Sequence, residues 1–187
     1  MALNNTESSK RPQETTTIEI DSDPASIRAD GVGISAYSNS EVLLNTALKL
    51  SAPTAIEARG NSLVTVNADD QERTVQIVGD ISFATTKEGS GQKLNADVQI
   101  NLRGDDSYWT GNVKTDYPND LSEENQEILQ GVSLALADGV AWNATVIENT
   151  PDESNKTEAI ALHNLTLENG VVNATAVDQT VSVNSLT

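Results

Sequence analysis

Apolar residues fall at every second position from Lys93 to Arg103, and no other feature of the chain restricts its fold as strongly. Leu94, Ala96, Val98, Ile100 and Leu102 alternate there with Lys93, Asn95, Asp97, Gln99, Asn101 and Arg103. Residues two apart share one face of an extended strand, whereas a helical period would scatter these five around a cylinder. The segment is therefore a strand with one face buried and the other wet. The same period recurs in Thr15–Ile20, Val32–Ser38, Leu63–Asn67 and Arg73–Phe83, the last placing Val75, Ile77, Ile81 and Phe83 together. Between Val42 and Leu50, Val42, Leu44, Leu48 and Leu50 keep the same alternation.

Turn chemistry separates these runs. Asp21-Ser22-Asp23-Pro24 ends the first, and Asp30-Gly31, Asp138-Gly139 and Asn169-Gly170 are dipeptides of the kind that close two-residue hairpins. Trp142 lies on the apolar phase with Val140, Ala144 and Val146. One helix is expected over about 120–130: Asp120 supplies the N-cap, Glu123 the third helical position, Leu121, Ile128 and Leu129 an apolar stripe, and Gly131 the stop. About ten short strands and one helix result. Strands do not alternate with helices, which argues against a parallel sheet, and no repeat of fixed period stands out. The expected fold is all-β, an antiparallel β-sandwich or single jelly roll over residues 15–187, preceded by a flexible polar arm at 1–14.

Composition limits the chemistry. The 187 residues contain 28 Asp and Glu against 11 Lys and Arg, a net charge of −17, with one His and no Cys. Thiol catalysis, Cys-bound metal and disulfides are excluded. Nucleic-acid binding is disfavoured because clustered cations are needed to displace phosphate counterions. Sustained strand periodicity excludes disorder as the meaning of the acidity. A carboxylate-rich, Lys-poor surface instead points to strong salt, where the Debye length falls to about 3 Å and repulsion is screened.

The remaining candidates each have a plain structural reading. His163 lies in the strand expected over Thr157–Leu167 and lacks partners for catalysis or metal binding, so it reads as a packing residue. Trp142 reads as core, and the Tyr108-Trp109 pair as core or as a contact surface. The acidic pairs Asp21/Asp23, Asp69/Asp70, Asp105/Asp106 and Asp152/Glu153 do not match the twelve-residue calcium loop and read as salt-adapted loops. Asn4, Asn143, Asn155, Asn164 and Asn173 begin Asn-x-Thr sequons, which carry glycans only on exported proteins. No catalytic, cofactor-binding or metal-binding residue is assigned, and no enzymatic activity or small-molecule substrate is expected.

Met1 to Glu14, MALNNTESSKRPQE, lacks the apolar core of a signal peptide, and no run is long enough to span a membrane as a helix. This polar arm on a leaderless, acidic, Cys-free β-chain resembles the smaller major capsid protein of haloarchaeal icosahedral viruses with an internal membrane. The resemblance implies a single jelly roll and a virion capsid location after synthesis in the host cytoplasm. It also implies capsomers built with copies of itself and a larger capsid protein, above an inner membrane. Two other readings fit the same composition: a secreted or surface-anchored glycosylated β-domain such as an archaeal fibre or adhesin subunit, and a tail or baseplate β-protein of a tailed halovirus. The charge itself generates a test. Thermal unfolding and sedimentation across a salt series should show fold and assembly weakest near 0.1 M and strongest in molar salt, where screening acts over about 3 Å. Equal or greater stability at low salt would overturn the halophilic reading.

Overall fold

The computed structural model describes residues 16–20, 23–84, 96–116, 131–145, 162–174 and 183–187. Its strands are β1 (Thr16–Ile20), β2 (Ala25–Arg28), β3 (Val32–Tyr37), β4 (Ser40–Leu44), β5 (Leu48–Arg59), β6 (Leu63–Val66), β7 (Val75–Ala84), β8 (Asp97–Leu102), β9 (Tyr108–Thr110), β10 (Val113–Asp116), β11 (Gly131–Ala137), β12 (Ala141–Ala144), β13 (Leu162–Glu168), β14 (Val171–Ala174) and β15 (Val183–Leu186). One sheet runs β1-β4-β6-β8-β11-β13-β15 and the other β14-β12-β9-β7-β5-β2, with β3 on β5 and β10 on β7. Every pairing between strands is parallel. The chain alternates between the two sheets and returns to each one rung further on. It is a β-solenoid, a stack of coils in which each strand pairs with its counterparts in the coils before and after.

The strand periodicity is as expected. Ala96, Val98, Ile100 and Leu102 are buried, while Asp97, Gln99 and Asn101 lie on the outer side. Val140, Trp142 and Ala144 likewise point inward. The antiparallel sandwich and the jelly roll are overturned. Among the described residues the sole antiparallel contact is an isolated bridge from Ala137 to Asn169.

The physical reason lies at the turns. Asp138 and Gly139 have φ of 57° and 83°, and the Val140 amide donates to the Ala137 carbonyl at 3.2 Å, as in a tight two-residue turn. The strand that follows does not fold back on β11. It crosses to the other sheet and pairs with β9. Asn169-Gly170 makes the same crossing from β13 to β14. Asp30-Gly31 joins β2 and β3, which dock in succession along the single long strand β5. A parallel sheet usually needs a helix between its strands. Here the second sheet supplies the return path. The expected helix over about 120–130, the arm at 1–14 and the pairs Asp21 and Asp152/Glu153 lie outside the described residues.

Columns of like residues fill the interior. Leu44, Val66, Ile100, Leu134 and Leu165 stack in register inside the first sheet, with Ile20 half-buried and Leu186 exposed at the two ends of the column, spaced by roughly 20 to 35 residues, an irregular period of the solenoid kind. Ile27, Leu50, Ile77, Trp109, Trp142 and Val172 do so in the second. The repeat that the sequence did not display is thus present, with rungs of unequal length. Two stretches carry its trace. Trp109-Thr110-Gly111-Asn112-Val113 parallels Trp142-Asn143-Ala144-Thr145-Val146, and Leu134-x-Leu136-x-Asp138-Gly139-Val140 parallels Leu165-x-Leu167-x-Asn169-Gly170-Val171.

The two tryptophans stack with centroids 5.2 Å apart and planes 10° from parallel. Each indole N–H donates at 3.0 Å to a glycine carbonyl on the coil before, Trp109 to Gly79 and Trp142 to Gly111. Those glycines form a corner where backbone meets backbone. Gly79 has φ of 129°, a Cβ there would collide with the Ala52 carbonyl, and one on Gly111 would collide with the Gly79 carbonyl. Only glycine admits that approach. Trp142→Phe keeps a ring in the stack but leaves the Gly111 carbonyl without its donor, so urea unfolding should show a loss of about 1–3 kcal/mol. Trp142→Ala, which also opens a cavity, should cost about 3–5 kcal/mol. No loss for Trp142→Phe would mean that the indole hydrogen bond contributes nothing.

Candidate functional site

The solenoid separates residues that the sequence groups together. Trp109 is fully buried, whereas its neighbour Tyr108 faces outward and is half-buried. The Tyr108-Trp109 pair is therefore one core residue and one surface residue, and Trp142 is core as expected.

His163 sits on the outer side of the first sheet against Gly131, where any Cβ would strike the imidazole. Two residues, His163 and Asn164, stand between buried Leu162 and Leu165, where the coil below has Ser133 alone between buried Val132 and Leu134. The extra residue bulges there, and the absent side chain at Gly131 gives it room. Below them lies Asp97, paired with Gly131. Burial raises the Asp97 carboxyl above the usual aspartate range, and the charge of His163 acts more weakly in the opposite sense. His163 is held by packing, and among the described residues no group of three His, Cys, Asp or Glu side chains is placed to hold a metal.

The acidic pairs resolve into separate roles. Asp69 receives both terminal nitrogens of Arg73, Nη2 at 2.8 Å, and that hydrogen bonding lowers the Asp69 carboxyl pKa. Arg73 Nη1 also donates to the buried Asn67 Oδ1 at 2.8 Å. Asp70 accepts from Arg103 Nε at 3.1 Å, and Arg103 also reaches Asp138 at 3.5 Å and Glu168 at 2.9 Å. Asp105 and Asp106 form a surface turn whose carbonyls accept from Thr74 Oγ1 at 3.1 Å and Gln76 Nε2 at 3.2 Å. Asp23 is exposed.

Three of the sequon asparagines fall on strands, all facing outward. Asn143 Nδ2 donates to Thr110 Oγ1 at 3.2 Å, and Asn173 Nδ2 to Asn143 Oδ1 at 2.8 Å, a ladder running up the second sheet. Asn164, exposed on the first sheet, donates to Ser133 Oγ at 3.1 Å. Asn4 and Asn155 lie outside the described residues.

The outer face of the second sheet is the feature that the sequence conceals. One outward column is Ser26, Lys49, Gln76, Tyr108, Ala141 and Val171. The other is Arg28, Ser51, Val78, Thr110, Asn143 and Asn173. Neither column contains a carboxylate, although 28 of the 187 residues are acidic. Beside it, the turns at 104–107 and 138–140 wall a cleft of about 540 Å³ whose floor includes Gln76, Tyr108, Ala141 and Asn143. Asp105, Asp106 and Asp138 stand at its rim, and no Lys or Arg lines it. The signal that locates this face is the partial repeat around Trp109 and Trp142, because it aligns the outward Thr110 with Asn143.

Fold and surface together define a β-solenoid with two outward columns free of carboxylates and a cleft beside them. Comparison with protein-family models, with curated proteins and with solved structures finds no match.

Asp97 generates a pH test. A carboxyl whose folded pKa is raised contributes stability that is fully present below its unfolded value and is lost as pH rises through the folded one. Ionised Asp97 is therefore a burden at neutral pH. Asp97→Asn should raise the urea midpoint at pH 7, and the gain should vanish near pH 3, below the ordinary aspartate value of about 3.9. A gain of the same size at both pH values would mean that desolvation of the charge is not the cause.

Proposed function

We propose that the chain is a non-catalytic structural module of a surface fibre or adhesin, displayed in a salt-rich setting. The observation that carries this reading is the stack of parallel coils, strand upon strand in both sheets. Such a stack extends along one axis and offers flat outer faces, which suits a rod or a display surface. The capsid resemblance, which rests on the acidic, Cys-free composition and the polar arm, implied a jelly roll, and the coils are parallel instead. The fibre and adhesin reading needs no jelly roll. It is supported by the acidic composition, with two outward columns of the second sheet left free of carboxylates. Among the described sequons, Asn164, exposed on the opposite sheet, is the one placed to carry a glycan without covering that face.

Protease shaving of intact producing cells or particles, followed by intact-mass analysis of the purified chain, tests the reading. Release of its peptides without lysis is expected, with sugar additions on the peptide that contains Asn164. Peptides that appear only after lysis would overturn surface display.

A further inference from the structure

We propose that the cleft beside Tyr108, with the outer face of the second sheet that continues from it, binds a neutral glycan chain lying along the solenoid axis. The inference deepens the surface-module reading by naming its ligand class, and it rests on that reading only for where the ligand is met.

Electrostatics removes most alternatives. Asp105, Asp106 and Asp138 at the rim, with no cation in the lining, repel phosphate, sulfate and acidic sugars. The lining is too polar for a lipid or an apolar cofactor. A cationic ligand would gain nothing along the two columns, which hold no carboxylate and carry Arg28 and Lys49. A neutral, hydroxyl-rich ligand is the class that matches both the cleft and the face.

The chemistry of the face agrees. Gln76, Thr110, Asn143 and Asn173 supply amides and a hydroxyl, and each ladder amide has a second N–H beyond the one that bonds its neighbour. Sugar hydroxyls both donate and accept, so they pair with such groups and with the rim carboxylates. Tyr108 presents a half-buried ring on the cleft floor, the flat apolar element against which a pyranose stacks. Parallel strands place successive rungs about 4.8 Å apart, close to the advance of one sugar in an extended chain. A linear glycan running from Tyr108 past Ala141 to Val171, beside the Thr110–Asn143–Asn173 ladder, would meet one set of polar groups per sugar. The face is already built: its side chains are fixed by the register of the strands and by the ladder bonds, so little ordering remains to oppose binding.

The test is calorimetry on the purified full chain in molar salt, with cellohexaose, maltohexaose and chitohexaose as neutral probes and a lysine hexapeptide as the cationic one. At least one hexasaccharide should bind, with an affinity that salt leaves unchanged. Tyr108→Ala should weaken it about tenfold. Ala141→Arg, which fills the cleft floor from outside the core, should abolish it, with unfolding curves checking that both variants fold. Absence of binding to all three sugars, binding indifferent to both variants, or binding of the peptide alone would overturn the inference. So would native glycans on Asn143 or Asn173, which would occupy the same face. A surface-displayed chain that binds no sugar would overturn this inference alone, and a sugar-binding chain released only on lysis would overturn surface display alone.

Discussion

Parallel backbone hydrogen bonding between the strands of successive coils is the constraint on which the rest of the structure depends. It fixes what each side chain meets: the residue at the same position one coil before and one coil after. Like must therefore tolerate like. Aliphatic columns satisfy this inside, where Leu44, Val66, Ile100 and Leu134 lie one upon another. Tryptophan satisfies it by stacking, and glycine by removing the side chain where two backbones touch. Outside, the amides and hydroxyls of Thr110, Asn143 and Asn173 satisfy it by bonding up the ladder.

Buried polar groups follow the same rule. Asn67 is fully buried with φ of 56° at the turn that leaves the first sheet. Its Nδ2 donates to the Gln71 carbonyl at 2.9 Å and to the Asn101 carbonyl on the next coil at 3.2 Å. Asn101 Nδ2 returns a bond to the Asn67 carbonyl at 3.0 Å. A polar side chain inside the wall is tolerated because each of its demands is met locally or one coil away.

Much of the local structure was legible in the sequence. The inward phase of Val98, Ile100 and Leu102 follows from alternation, and the tight turn at Asp138-Gly139 from its residue types. The direction of pairing was not legible, because a period of two is the same in parallel and antiparallel strands. Whether the chain after Gly139 folds back or crosses over is decided by β9, some thirty residues earlier, against which β12 docks. The repeat is hidden in the sequence because the coils differ in length, so no single spacing aligns them. For the site, the chain correctly marks Trp142 as core. The outward face combines residues from six strands, and only the register brings them together.

Arg103 departs from the nearest-neighbour pattern. Its guanidinium bonds Asp70 one coil before, Asp138 one coil after, and Glu168 two coils after. Partners this exposed contribute little energy singly. The span matters more than the strength. A solenoid held only by adjacent contacts frays one coil at a time from its ends, each loss independent of what lies deeper. A side chain that reaches past its neighbour ties the fate of β13 to β8, so this stretch opens as one cooperative block and resists a pull along the axis together.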